Sequence, residues 1–147
     1  FTPHLTPMFR GILSTIYLDL KKGFSIKKIT NSKISFTFTP HLTPMFRGIL
    51  STIYLDLKTN FNIRKISNIL KKYHKKNHFI KILDDNTMIS TNKVINTNNC
   101  FISICKTNNK NKIIVLSSID NLIKGGAGQA VQNMNIKFGF NKFEGLR

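Results

Sequence analysis

The stretch NLIKGGAGQAVQNMN, Asn121–Asn135, places three glycines just ahead of a helical pattern. Gly125, Gly126 and Gly128 lack a Cβ, so a bound group can approach the backbone closely there. The first N–H groups of a helix have no intrahelical acceptor, and the helix dipole adds partial positive charge at that end. Such an entrance suits a phosphate or a carboxamide. Gln129 stands early enough in the helix to point to the same place. The spacing is neither G-x-G-x-x-G nor the P-loop pattern, despite the nearby Lys124. The same glycines would equally serve a tight connection that lets a helix pack close to a sheet, and the residues alone leave both readings open.

Other reactive types are thinner. In TPHLTPMFRG, Thr39–Gly48, His41 and Arg47 are the groups able to meet an anion. His41, bracketed by Pro40 and Pro44, reads as structural. Arg47 precedes a glycine in a turn, where it could offer its guanidinium to a carboxylate or phosphate, or simply be solvated. His74 and His78 are four apart and could share a helical face, but no acidic partner accompanies them and H-E-x-x-H is absent, so no metal site is expected. Cys100 and Cys105 in CFISIC have an odd separation, which puts them on opposite faces of a strand. No disulfide is expected between them; two buried thiols in a reducing cytoplasm are. The acidic residues are Asp19, Asp56, Asp84, Asp85, Asp120 and Glu144, too few to suggest a paired-carboxylate mechanism.

The formal net charge is +17, from 23 Lys and Arg against 6 Asp and Glu. Nucleic acid or an anionic surface could answer such a charge. Yet most of it is lysine scattered over presumptive surfaces, and Lys, Asn and Ile rise together as an A/T-rich coding sequence would raise them. A nucleic-acid role is therefore the secondary reading. No apolar run is long enough to span a bilayer. No charged-then-apolar leader opens the chain, which begins on Phe1 without an initiator Met and so reads as a piece of a longer protein.

The elements that must position these residues follow from hydrophobic period. KISFTFTPHL, Lys33–Leu42, alternates as a strand, with Pro40 demoting its end. TPMFRG is a turn. ILSTIYLDL, Ile49–Leu57, is a β-branched strand with Ile49, Ser51, Ile53, Leu55 and Leu57 on one face. From Asn62, a plausible N-cap, to His78 the period becomes helical, with Ile63, Ile66, Leu70 and Tyr73 as the apolar stripe. FIKIL, Phe79–Leu83, is a short strand. Asp84–Asn99 reads as a long polar loop. CFISICKT and KIIVLSSID flank NNKN as a hairpin, and a last helix runs from near Gly126 to about Phe138. This order predicts an α+β domain, a mainly antiparallel or mixed sheet covered by helices on one face.

One feature complicates that plan. FTPHLTPMFRGILSTIYLDLK occurs twice, at Phe1–Lys21 and Phe38–Lys58, without a difference. The match decays through KGFSIKKITN, Lys22–Asn31, against TNFNIRKISN, Thr59–Asn68. Two copies make no solenoid. A duplication is the expectation: residues 1–32 an extra copy, residues 33–147 the domain. If the fold has one slot for this unit the copies compete for it, and the second, which continues into the helix, is expected to win.

SFTFTPHLTPMFRGILSTIY and SSIDNLIKGGAGQAVQNMNIKFGF resemble two signature stretches of the N-acetyl-gamma-glutamyl-phosphate reductase family, related to aspartate-semialdehyde dehydrogenase. NKVINTNNC matches more weakly. The resemblance spans about Lys33 to Arg147, in order and spacing. It implies the carboxyl-terminal domain of an arginine-biosynthetic oxidoreductase that reduces N-acetyl-glutamyl phosphate to the semialdehyde with NADPH in the cytoplasm. In that family a cysteine thiolate attacks the acyl phosphate, phosphate leaves, hydride reduces the thioester, and a histidine serves as acid and base. The family's N-P-G-C and H-R-H-like motifs do not occur here, nor does the Gly-rich fingerprint of its dinucleotide-binding half. No catalytic residue is therefore expected in this chain, and no turnover from it alone. By the same similarity the KGGAGQ turn closes over the nicotinamide end of the cofactor. Gly126, Ala127 and Gln129 would line that pocket, Gln129 bonding the carboxamide, and Arg47 would be the candidate for binding substrate. The family's sheet also supplies much of a subunit interface, which implies a homo-oligomer. The rival readings are a basic nucleic-acid-binding module and an inactive structural remnant.

Overall fold

The computed structural model describes residues 11–19, 35–43, 46–57, 62–109 and 111–147, the first two spans through their backbone pairing. Six strands form one sheet: β1 (Gly11–Asp19), β2 (Ser35–Thr43), β3 (Ile49–Asp56), β4 (Ile80–Ile82), β5 (Cys100–Lys106) and β6 (Lys112–Ile119). Their spatial order is β2-β1-β3-β6-β5-β4. β1–β2, β3–β6 and β5–β6 pair antiparallel, whereas β1–β3 and β4–β5 are parallel. With the helices α1 (Ile63–His74) and α2 (Gly128–Lys137), this is the α+β domain with a mixed sheet that the pattern predicts. Among the described residues no helix is long and apolar enough to cross a membrane.

β2 runs through Pro40 to Thr43, further than its proline suggests. It lies at the edge of the sheet, where a missing N–H on the outer side costs no ladder bond. β5 and β6 make the expected hairpin, with Cys100 opposite Ile119 and Lys106 opposite Ile113.

Asn62 caps α1 as expected, its side chain accepting the Lys65 N–H at 2.9 Å. The helix ends at His74 rather than His78, with Lys71, Lys72 and His74 in the last turn, where cations complement the dipole. Its inward face also differs from the predicted stripe. Ile63, Ile66 and Leu70 are half-buried, but Tyr73 is 71% exposed and Ser67 is buried. A helical face continues from position 63 through 67, 70 and 74, so it passes over Ser67 and His74 and leaves Tyr73 outside. His74 and His78 share no helical face: His78 lies in the following turn, its ring 4.5 Å from that of Phe143 and 5.3 Å from that of Phe79.

The polar Asp84–Asn99 stretch is a loop, as predicted, but it is not a surface appendage. Ile89, Thr91, Val94 and Asn98 are buried, and Ile89 and Val94 join Phe79, Ile104 and Ile113 in the core. Local side-chain bonds make this possible, because buried backbone must find partners. Ser90 caps a short 3-10 turn at Thr91–Lys93, and Thr97 Oγ1 donates to Val94 O at 2.8 Å.

Cys100 and Cys105 are free thiols, half-buried rather than buried. Burial pushes the Cys100 thiol up, against the opposing pull of Ser117 and Lys124, which keeps it protonated and unreactive at neutral pH.

Both copies of the repeat enter the sheet. The second supplies β3, which takes β6 as its antiparallel neighbour. The first supplies β1, parallel to β3 with each residue beside its own twin, Ile12 by Ile49 through Leu18 by Leu55. The two copies thus lie side by side in the sheet, each β-branched and suited to a pleated neighbour. Phe1–Arg10, Lys22–Asn31 and Pro44 of the predicted turn lie outside the described residues.

Candidate functional site

The site is built on the residue that follows β6. Asp120 is fully buried. Its Oδ2 accepts from Arg47 Nε at 2.9 Å, from Arg47 Nη2, and from the Asn96 N–H at 2.7 Å. Oδ1 accepts from the N–H groups of Leu122 at 2.9 Å and Ile123 at 3.2 Å. Its carbonyl takes the Gly125 N–H at 2.9 Å. Burial alone would raise the Asp120 pKa, but Arg47 and three backbone donors outweigh it and hold the carboxyl below the usual carboxylate range. One side chain thus ties the β3 entry, the Asn96 loop and the turn into α2 together. Asn121 adds a second tie, accepting the Gly48 N–H at 2.8 Å. Gly48 itself needs to be glycine: its φ is +114°, and a Cβ would sit 2.9 Å from Thr91.

The turn so anchored is a single widened helical turn at Ile123–Ala127, broken at Gly126 (φ −146°, ψ −112°), from which α2 departs. Its glycines divide between the two roles the sequence left open. Gly128 is buried, and a Cβ there would lie 2.6 Å from both Asn98 Oδ1 and Ile123 Cγ2, so it serves close packing. Gly125, Gly126 and Ala127 are exposed, and the two glycines present bare backbone to solvent. Gln129 is half-buried and donates from Nε2 to Asn133 Oδ1 at 2.9 Å along the helix. Its Oε1 has no partner among the described residues. Beneath the turn, Gln132 Oε1 accepts from Lys124 Nζ at 2.8 Å and from Asn98 Nδ2 at 3.1 Å. Burial lowers the Lys124 pKa, with Cys100 opposing.

Gly126 and Ala127 thus lie in an accessible turn that Asp120 ties to Arg47, whereas the Gln129 side chain is bonded along the helix to Asn133. Arg47 itself is no open guanidinium: Nε and Nη2 are engaged, and its side chain is only 15% exposed. Sequence reasoning missed Asp120, Asn96 and Asn98. Asp120 carried a usable signal, an aspartate between the end of a strand and the start of a helical turn, which is where a carboxylate collects free N–H groups. Asn96 and Asn98 act through a backbone N–H and a buried amide, which composition does not reveal.

This arrangement can hold a flat, amide-bearing group. Bare backbone at Gly125 and Gly126 allows contact at van der Waals distance.

Comparison with known proteins identifies the family of the domain. The semialdehyde dehydrogenase dimerisation domain matches residues 24–121, a span that begins after β1 and ends before the glycine-rich turn. Curated relatives named N-acetyl-gamma-glutamyl-phosphate reductase align over nearly the whole chain. The one from Vesicomyosocius okutanii is 48% identical over 99% of this chain and 31% of its own length. That from Thermoanaerobacter sp. is 45% identical over 99% and 32%, and that from Halothermothrix orenii 42% over 100% and 32%. The chain thus spans about a third of the length of these relatives. With most of its sheet, α1 and the Asp120 anchor inside the matched span, the chain belongs to the semialdehyde dehydrogenase dimerisation-domain family.

Proposed function

We propose that this chain is the dimerisation and cofactor-facing part of an N-acetyl-gamma-glutamyl-phosphate reductase. The observation that carries this is the exposed turn at Gly125–Ala127, bare of side chain at both glycines, fixed from below by Asp120 and followed closely by Gln129. The identity of 42–48% to reductases over almost all of the chain supports it. NADPH would supply the hydride that reduces the acyl carbon. The residues here would seat and orient its nicotinamide end: the backbone at Gly126 and Ala127 against the ring, Gln129 Oε1 accepting from the carboxamide, and the surrounding turn excluding water. Arg47 Nη1, with no partner among the described residues, is the remaining edge that could meet the substrate's carboxylate or phosphate. The nucleophile and the acid–base group would come from elsewhere in the enzyme, so the chain alone would not turn over. The sheet would join two subunits, in the cytoplasm, where the thiols stay reduced.

The test is a chimera joining the full chain to the amino-terminal part of the Thermoanaerobacter relative. Reduction of N-acetyl-glutamyl phosphate by NADPH in the chimera, and none by the isolated chain, is the expected outcome. A folded chimera without turnover contradicts the reading.

A further inference from the structure

The identical strands β1 and β3 are parallel and in register, and this has a geometric consequence. Exchanging them in the sheet alters no residue in any pairing. The strand beside β6 would still read GILSTIYLD, with Ser14 replacing Ser51 opposite Ser117. The strand beside β2 would read the same, with Ile49 replacing Ile12 opposite Leu42. Direction, face and ladder are preserved, because the two strands run the same way. Only the connections distinguish the two orders.

Those connections do not oppose the exchange. In the observed order Thr43 and Ile49 lie on strands separated by β1. In the exchanged order Gly48 falls opposite Thr43, so residues 44–47 become a four-residue hairpin loop, an ordinary length. Residues 20–34, between β1 and β2, would then span two strand spacings, about 10 Å, well within reach. The site is preserved as well. The residue before GILSTIYLD is arginine in both copies, Arg10 before Gly11 and Arg47 before Gly48, so the sequence offers Asp120 an arginine in either order.

We propose that the sheet populates a second order, β2-β3-β1-β6-β5-β4, in which the two copies trade places and the first copy supplies the arginine to Asp120. The experiment uses the full chain with Cys100 and Cys105 replaced by serine. Directly opposed residues of antiparallel strands lie within disulfide range, about 4.5–5.5 Å between Cα atoms. Two variants, Ser51→Cys with Ser117→Cys and Ser14→Cys with Ser117→Cys, are oxidised at low concentration and mapped by peptide mass. Intramolecular bridges in both are expected. A bridge in the Ser51 pair with none in the Ser14 pair overturns the proposal. Denaturant unfolding gives an independent reading. Arg47→Ala alone should lower the folding equilibrium constant less than about tenfold, whereas Arg47→Ala with Arg10→Ala should lower it a hundredfold or more, as for an unpaired buried charge. Equal losses in the single and double variants would also overturn it.

Discussion

Asp120 and Gly126 lie six residues apart, on the same connection, yet their surroundings are opposites. Asp120 is sealed from solvent and each of its side-chain oxygens is used by more than one donor. Gly126 is exposed and carries nothing beyond its backbone. The first residue fixes where the second can be. The exposed turn holds few groups of its own, and it is held still by charge-assisted hydrogen bonds below it.

The contrast can be broken most severely at its buried end. Asp120→Ala would strand the Arg47 guanidinium and three backbone N–H groups, and should cost about 3–5 kcal/mol. Chemical denaturation of the variant checks this. Gly128→Ala should come next, at about 1–3 kcal/mol, because its Cβ would lie 2.6 Å from Asn98 and Ile123 and force the packing apart. Gly126→Ala should cost less, since the nearest atom, Asn121 O, is 3.3 Å from the added carbon. Reversed ranks for the two glycines would dissolve the division between packing and presentation.

Acid supplies a third handle. The Asp120 pKa is depressed in the folded protein, so its contribution is complete above the unfolded value of about 3.9 and is lost as pH falls through the folded one. Stability measured from pH 6 downward should therefore decline more steeply below about pH 4 in the parent than in Asp120→Ala. Parallel curves would mean the carboxylate is not held as described.

Periodicity made the hairpin, the strand at Ile49–Asp56 and the N-cap at Asn62 legible, because each is decided by local chemistry. It failed where tertiary packing decides. The Asp84–Asn99 loop looked polar yet buries Ile89 and Val94, since its own side chains satisfy its backbone. Tyr73 looked like core and is exposed, because the helix presents Ser67 and His74 instead. At the site, the glycine-rich turn and Arg47 were readable by type. That Arg47 would face Asp120, 73 positions away, was not, because the pairing exists only once β3 and β6 are neighbours. The repeat was readable as a duplication, but not the parallel pairing of its copies.

The smallest structural effect should carry the largest functional one. In the chimera, Gln129→Ala should cost less than about 1 kcal/mol of stability, since it removes a single hydrogen bond to Asn133 at a half-buried helix position. It should raise the KM for NADPH several-fold, while the KM for the acyl phosphate stays unchanged. That split is the most direct test of a helix entrance shaped for the nicotinamide end of the cofactor. An unchanged KM for NADPH, with full activity retained, would contradict it.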